Sequence, residues 1–458
     1  MSAPQSQGEG SLLKILGYGF GLAVVFGSTV GSGILRAPGT LTDSLGSVWV
    51  SLAVWAIVGV YALLGTMLMC ELGVMMPKAG AWSVYARRAF GDSTGFAIGW
   101  TNWMLLAGTG SSLAAFIATL VGELDPALQD PTARTGIAVA TLVMFTVLHW
   151  TGTKSGSMVQ IVTSVIKAVA FIALVAACFI VGGDGGNSFD APVAANAPVG
   201  LVAQIAGLVI ALQIVIFAYD GWYGAIYFAE EDTDPARNMP RSMINGTLSI
   251  IAIYLLIVVA IYWVLPLDRI AGNAVAAATA ADEVFGQGGG TVILLISLIA
   301  VPSVLNATLL QMMRVLYSLA RDGMFVPQAG KVNAVGTPWV AMLFGNGAAL
   351  GMLLMQQAAF DRLSAITAYF MVTIYLSGFF AFWRLRLKEP AAERKYRAPW
   401  HPWSTLFVIV LSLAFLGGAL YIDWAAETRR WDVVLSLVLL GAAYPVYYLL
   451  RLLGRIKG

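Results

Sequence analysis

One pattern recurs twelve times along this chain: an apolar run of about 20 residues, closed off by a short polar loop. As a helix, such a run is about 30 Å long, the thickness of a bilayer's hydrocarbon core. In hydrocarbon each backbone N–H and C=O must find a partner inside the protein, and a helix supplies all of them within one segment. The expected fold is therefore an all-α polytopic membrane protein. Composition agrees, with 59% of the 458 residues apolar and only 11% charged, against about a quarter charged in soluble domains. The twelve spans are read as 15–42, 47–76, 94–121, 134–151, 157–181, 201–229, 243–265, 290–319, 338–357, 361–385, 403–422 and 431–452.

Two of these spans are interrupted. The first carries Gly27-Ser28-Thr29-Val30-Gly31-Ser32-Gly33 between apolar flanks, although each glycine costs a helix about 1 kcal/mol against alanine. The sixth carries Phe217-Ala218-Tyr219-Asp220-Gly221-Trp222, with an acid and a glycine in mid-span. An unwound turn at membrane depth survives only where its freed backbone groups line a cavity or bind something. Paired breaks in corresponding places of two halves point to the binding site of a secondary transporter. Spans 1–5 (residues 15–181) and 6–10 (201–385) both open on a broken helix. With five spans in each, the second set lies upside down relative to the first, an inverted repeat. Residues 1–14 precede the repeat, and spans 11 and 12 (403–458) lie outside it.

Charge sets the orientation. Of 26 Lys and Arg residues, 19 fall in the termini and the loops on their side. Six fall opposite, and the remaining one, Lys167, lies inside span 5, one or two turns from its inner end. By the positive-inside rule both termini are cytoplasmic, in a cytoplasmic (inner or plasma) membrane, and the polar first ten residues have no cleavable signal pattern. A net charge of +2 without a basic tract gives no reason to expect a nucleic-acid partner. Cys70 and Cys178 lie in different spans and read as small buried residues. His149 and His401 stand alone, with no ligand cluster or nucleophile–base set nearby, so no metal, cofactor or enzymatic chemistry is expected.

Five stretches, in order, resemble the amino acid–polyamine–organocation transporters, especially bacterial amino acid permeases and the light chains of heteromeric exchangers. They are Gly31-Ser32-Gly33-Ile34; Glu71 through Gly91, with Pro77, Gly80 and Tyr85; FAYDGWYGAIYFAEE over 217–231 with the following residues to Ile244; Ala320-Arg321-Asp322-Gly323 with Pro327, Thr337 and Pro338; and Leu385-Arg386 through Pro399. The resemblance implies the LeuT-like five-plus-five inverted repeat with two extra helices. It also implies secondary active transport of L-amino acids by alternating access.

An amino acid brings a carboxylate and an ammonium. The amides around Ser32 and Gly33, at the N-terminus of the second half-helix of span 1, suit the carboxylate. Carbonyls freed near Thr29, Phe217 and Asp220 suit the ammonium, and by the resemblance these are the matching positions. The substrate set is thus Ser28, Thr29, Gly31, Ser32, Gly33, Phe217, Ala218, Asp220 and Trp222, with close helix packing as the alternative use of Gly31 and Gly33. Phe217 and Trp222 are gate candidates or packing residues. Three uses fit Asp220: meeting a cationic substrate, carrying a proton, or bonding loose amides of the break. Lys167 either snorkels to headgroups or, as the resemblance implies, replaces the sodium ion that bridges spans 1 and 5 in sodium-coupled relatives. Transport is then sodium-independent exchange or proton-coupled uptake. Glu230 and Glu231 are expected to cap their span or pair with Arg237 or Arg241. Asn102, Ser111, Ser112 and Asn306 either face the cavity or join helices by hydrogen bonds. Small or medium neutral amino acids are the expected substrates. A cationic amino acid or polyamine carrier and a non-transporting nutrient sensor are the alternatives, and the need for an accessory subunit is left open.

Overall fold

Local chemistry sets many of the helix ends. Asp130 accepts from the amides of Thr132 (2.9 Å) and Ala133 (3.2 Å) and Pro131 follows it, a cap and first-turn residue that start a helix together. Gly152 and Gly286 mark other boundaries with positive φ. The computed structural model describes residues 12–31, 33–182, 186–194, 197–355, 360–425, 430–454 and 456, with backbone only for 360–368 and 432. Its helices are α1 (Tyr18–Thr29), α2 (Gly33–Leu45), α3 (Val48–Met75), α4 (Trp82–Phe90), α5 (Asp92–Gly122), α6 (Pro131–Trp150), α7 (Thr153–Val181) and α8 (Leu201–Tyr219). There follow α9 (Pro235–Val264), α10 (Leu267–Ile270), α11 (Ala276–Phe285), α12 (Gly289–Arg321), α13 (Trp339–Met355), α14 (Phe360–Lys388), α15 (Trp403–Ala425) and α16 (Arg430–Leu452).

Among the described residues, ten helical segments are long and apolar enough to cross a membrane, α8 being counted with the short 3₁₀ turn Gly224–Phe228 that follows it. The pair α1–α2, bent by 42°, and the 17-residue apolar α13 bring the spans to twelve. The fold is the all-α, LeuT-like five-plus-five arrangement in a multi-pass membrane protein, with spans 1 and 6 broken. The repeat is visible in the element order. Each half runs broken span, long span (α3 or α9), short connecting helices (α4 or α10–α11), long span (α5 or α12), then two further spans.

Two departures from the sequence reading have a common cause. Helix α9 starts at Pro235, eight residues before the apolar run, because its first turns are polar (PARNMPRSM) and no hydropathy signal reports them. Helices α4, α10 and α11 are short and lie in segments read as loops. Small residues let the central helices approach closely, as in other membrane bundles. A Cβ on Gly207 of α8 would come within 2.0 Å of the Ser44 carbonyl on α2, and one on Gly246 of α9 within 2.7 Å of Val25 on α1. These approaches pack α1 on α7, α9 and α12, and α2 on α8.

Candidate functional site

The two breaks face each other. Helix α1 ends at Thr29, the Val30 amide closing its last turn on the Phe26 carbonyl (2.9 Å), and the chain bends into α2 at Gly33. The first amides of α2 have no acceptor within their own helix, and its positive end points at the bend. Ser32 lies outside the described residues. Opposite, α8 ends at Tyr219, the Asp220 amide turns back to the Phe217 carbonyl (3.1 Å), and Gly221 takes φ +109°. Only glycine fits there: a Cβ would strike the Ser28 carbonyl at 2.7 Å in a conformation L-residues avoid. Ser28 Oγ lies 2.5 Å from the Val24 carbonyl and 2.9 Å from that of Gly221, one hydroxyl proton serving both breaks. Thr29 Oγ1 donates to the Val25 carbonyl (2.9 Å). Tyr254 of α9 repeats the stitch, its hydroxyl 3.0 Å from the Thr29 carbonyl and 2.8 Å from that of Ala218. Gly33 meets Ala218 across the gap, and a Cβ on Gly33 would find ordinary contact at 3.8 Å. Helix packing therefore does not require glycine at that position. Gly31 is tighter, its Cβ position being 3.3 Å from Val304 of α12.

Lys167 of α7 is fully buried, and its ammonium donates to the carbonyls of Gly27 (2.9 Å) and Val30 (2.6 Å) at the frayed end of α1. It turns into the bundle rather than out to headgroups. Two residues on the same face of α7 do likewise: Ser164 Oγ donates to the Ala23 carbonyl (2.8 Å), and Gln160 Nε2 lies 3.4 Å from it. Gln160 is itself held by Asn306 of α12 (2.7 Å), which in turn meets His149 of α6 (2.8 Å). Asn306 thus joins α12 to α6 and α7, and through Gln160 the network reaches α1. Asn102 accepts from Tyr227 (2.9 Å), while Ser111 and Ser112 are buried with no hydrogen-bond partner among the described residues.

The aromatic candidates separate. Trp222 is 1% exposed and packed among Trp82, Tyr223 and Tyr375, whereas Phe217 is 40% exposed. Asp220 is half-buried, and its Oδ1 accepts from the hydroxyl of Tyr375 on α14.

Glu230 and Glu231 do not pair with Arg237 or Arg241. Glu231 takes Arg314 of α12 in a buried two-pronged contact (2.5 and 2.8 Å), with that guanidinium 4.2 Å over the Phe228 ring, and Glu230 pairs with Arg321. Pairing with Arg237 or Arg241 loses because the chain re-enters helix at Pro235, and α12 lies closer. On the same terminal face, the backbone of Leu16 bonds the Glu231 carbonyl (3.0 Å) and the Thr233 amide (2.9 Å). Glu71 of α3 accepts from Arg386 (2.7 and 2.5 Å) and the Ala398 amide (2.8 Å), with Arg394 at 2.9 Å. Arg88 of α4 donates to Glu389 and holds that carboxyl below the usual glutamate range. Stretches that are far apart in the chain, Glu71 with 385–399 and Glu230–Glu231 with α12, are thus tied together in space.

Sequence reasoning found both breaks and Lys167 but missed Tyr254 and Tyr375, tyrosines in apolar runs that nothing local distinguishes from packing residues. The i, i+4, i+7 spacing of Gln160, Ser164 and Lys167 was a legible signal of one polar face.

A multi-pass helical protein whose two broken spans meet face to face has the architecture of a secondary transporter. The chain belongs to the amino acid permease family, which it matches over residues 21–441, and its function is amino acid transport. It is 28% identical to the serine/threonine exchanger SteT of Bacillus subtilis (strain 168) over 447 residues, 96% of this chain and 97% of that one. It is 29% identical to mouse solute carrier family 7 member 13, over 86% of this chain and 82% of that one. With the mouse b(0,+)-type amino acid transporter 1 it shares 25% identity, over 73% and 68% of the two chains.

Proposed function

We propose that this protein exchanges small or medium neutral L-amino acids across a cytoplasmic membrane, without sodium and with both termini in the cytoplasm. The observation that carries the reading is the meeting of the two breaks. It brings the amide end of α2 and the carbonyl ends of α1 and α8 to one place, as a zwitterion requires. In this reading the α2 amides around Ser32 and Gly33 take the carboxylate, and the carbonyls near Thr29, Phe217 and Asp220 take the ammonium, that of Thr29 sharing its second lone pair with the Tyr254 hydroxyl. Ser28 and Gly221 hold the two ends in register, and Phe217, the exposed aromatic, closes over the guest. Lys167 supplies the positive charge between α1 and α7, leaving no role there for a sodium ion. The name of the Bacillus relative, a serine/threonine exchanger, favours small hydroxylated substrates. The excess of Lys and Arg on the terminal face favours the orientation.

Counterflow in proteoliposomes tests the proposal. Vesicles loaded with unlabelled serine, threonine or alanine take up labelled serine at the same rate in sodium and in an inert cation. Uptake that needs a sodium gradient, or that is driven equally well by the decarboxylated amine, overturns it.

A further inference from the structure

The acid in the second break has a partner that changes what it can recognise. Asp220 caps α8 at the depth where the two breaks meet, and it forms no ion pair among the described residues. Its carboxylate is engaged by neutral donors, foremost the Tyr375 hydroxyl, with the Tyr223 hydroxyl and the Gly221 amide beside it. The Tyr375 phenol has little freedom to leave. Tyr375 is 1% exposed, and its ring is clasped by Trp222 (5.4 Å between centroids), Tyr223 (5.5 Å) and Trp82 (5.9 Å). A phenol O–H on an ionised carboxylate is a charge-assisted hydrogen bond, about twice as strong as one between neutral groups. A lysine or arginine side chain entering the site must therefore win the carboxylate from a donor already in place. A neutral side chain asks nothing of it.

We propose that Tyr375 is a specificity-determining positioning residue: by tying the Asp220 carboxylate to α14 it withholds the one acid of the second break from cationic side chains and keeps the site neutral-selective. This deepens, and rests on, the reading of the chain as a transporter of neutral amino acids. It adds to the sequence-based idea that Asp220 bonds loose amides of its own break, the Gly221 amide among them. The added restraint comes from another helix, 155 positions away, and one substitution removes it while the Tyr223 hydroxyl and Gly221 amide stay in place.

The test is Tyr375→Phe, which keeps the ring and its aromatic neighbours and removes only the hydroxyl. In proteoliposomes, labelled serine uptake is competed with serine, lysine and arginine, and purified protein is melted with each amino acid as a binding readout independent of transport. The expected result is a rise of about tenfold in the apparent affinity for lysine and arginine relative to serine, the low end of what a hydrogen bond to a charged group contributes. The Tyr375→Phe/Asp220→Asn double variant returns that ratio to the wild-type value. An unchanged ratio with uptake of all substrates lowered alike makes Tyr375 a packing residue and overturns the inference. A raised ratio that persists in the double variant overturns it too, because the cation is then read elsewhere. Wild-type protein that is neither competed nor stabilised by any neutral amino acid sinks the transport reading itself, and the inference with it.

Discussion

Replacing Glu231 with glutamine keeps its shape and one acceptor but strips the charge facing Arg314. The guanidinium is then left buried: the two side chains are 1% and 0% exposed. Arg314 retains its bond to the Leu310 carbonyl and its seat over Phe228, but neither neutralises it. Removing one partner of a buried pair costs about 3–5 kcal/mol, because the other charge has already lost its water. Folded proteins have only about 5–15 kcal/mol in hand. The exposed pair Arg269–Glu283, at 47% and 36% exposure, is the internal control, and Glu283→Gln there costs less than about 1 kcal/mol. Reversible unfolding in mixed detergent and SDS, followed by tryptophan fluorescence, measures both. The double variant Glu231→Leu/Arg314→Met should recover most of the loss, since the desolvation penalty goes with the charges. If Glu231→Gln costs no more than Glu283→Gln, water reaches the pair and the account of a tightly closed terminal face is wrong.

Three further outcomes follow from the site. Amino acid methyl esters and N-acetyl derivatives compete with labelled serine at least about tenfold worse than the parent, because each lost set of charged hydrogen bonds is worth roughly 1.5–3 kcal/mol; equal competition removes the zwitterion site. Gly221→Ala forces a Cβ onto the Ser28 carbonyl and a strained φ, and should cost at least about 1–3 kcal/mol of stability with loss of uptake, whereas wild-type melting and transport contradict the close approach of the breaks. Lys167→Ala leaves two buried carbonyls without their donor, at about 1–3 kcal/mol each; uptake by that variant at the wild-type rate shows that the ammonium has no part in the site.

What could be read from the sequence was what hydrocarbon imposes locally. Length and polarity mark the spans, and glycine, serine and an acid in mid-span mark the breaks, because each violates a rule that the bilayer enforces over a few residues. Partnerships are not local. Tyr375 finds Asp220 across 155 positions and Arg314 finds Glu231 across 83, and no spacing rule connects them. The expected pairing of Glu230 and Glu231 with Arg237 or Arg241 failed for this reason: proximity in the chain was taken as proximity in space. The polar first turns of α9 were invisible because a helix outside hydrocarbon needs no apolar run.

The contact between α7 and α1 has a consequence for how the two helices tolerate change. On α7 it is made by three particular side chains, Gln160, Ser164 and Lys167. On α1 it is made by the carbonyls of Ala23, Gly27 and Val30, atoms that every residue type possesses. A saturation scan should therefore be lopsided. Ala23 and Val30 accept replacements that respect their packing volume. Gly27 does not, because a Cβ would land 1.8 Å from Gln160 Nε2. The α7 positions tolerate almost nothing, and a single residue inserted between Gln160 and Lys167 turns their donors about 100° apart around the helix, leaving one end of the row facing lipid. Identity is fixed on one helix and only shape on the other.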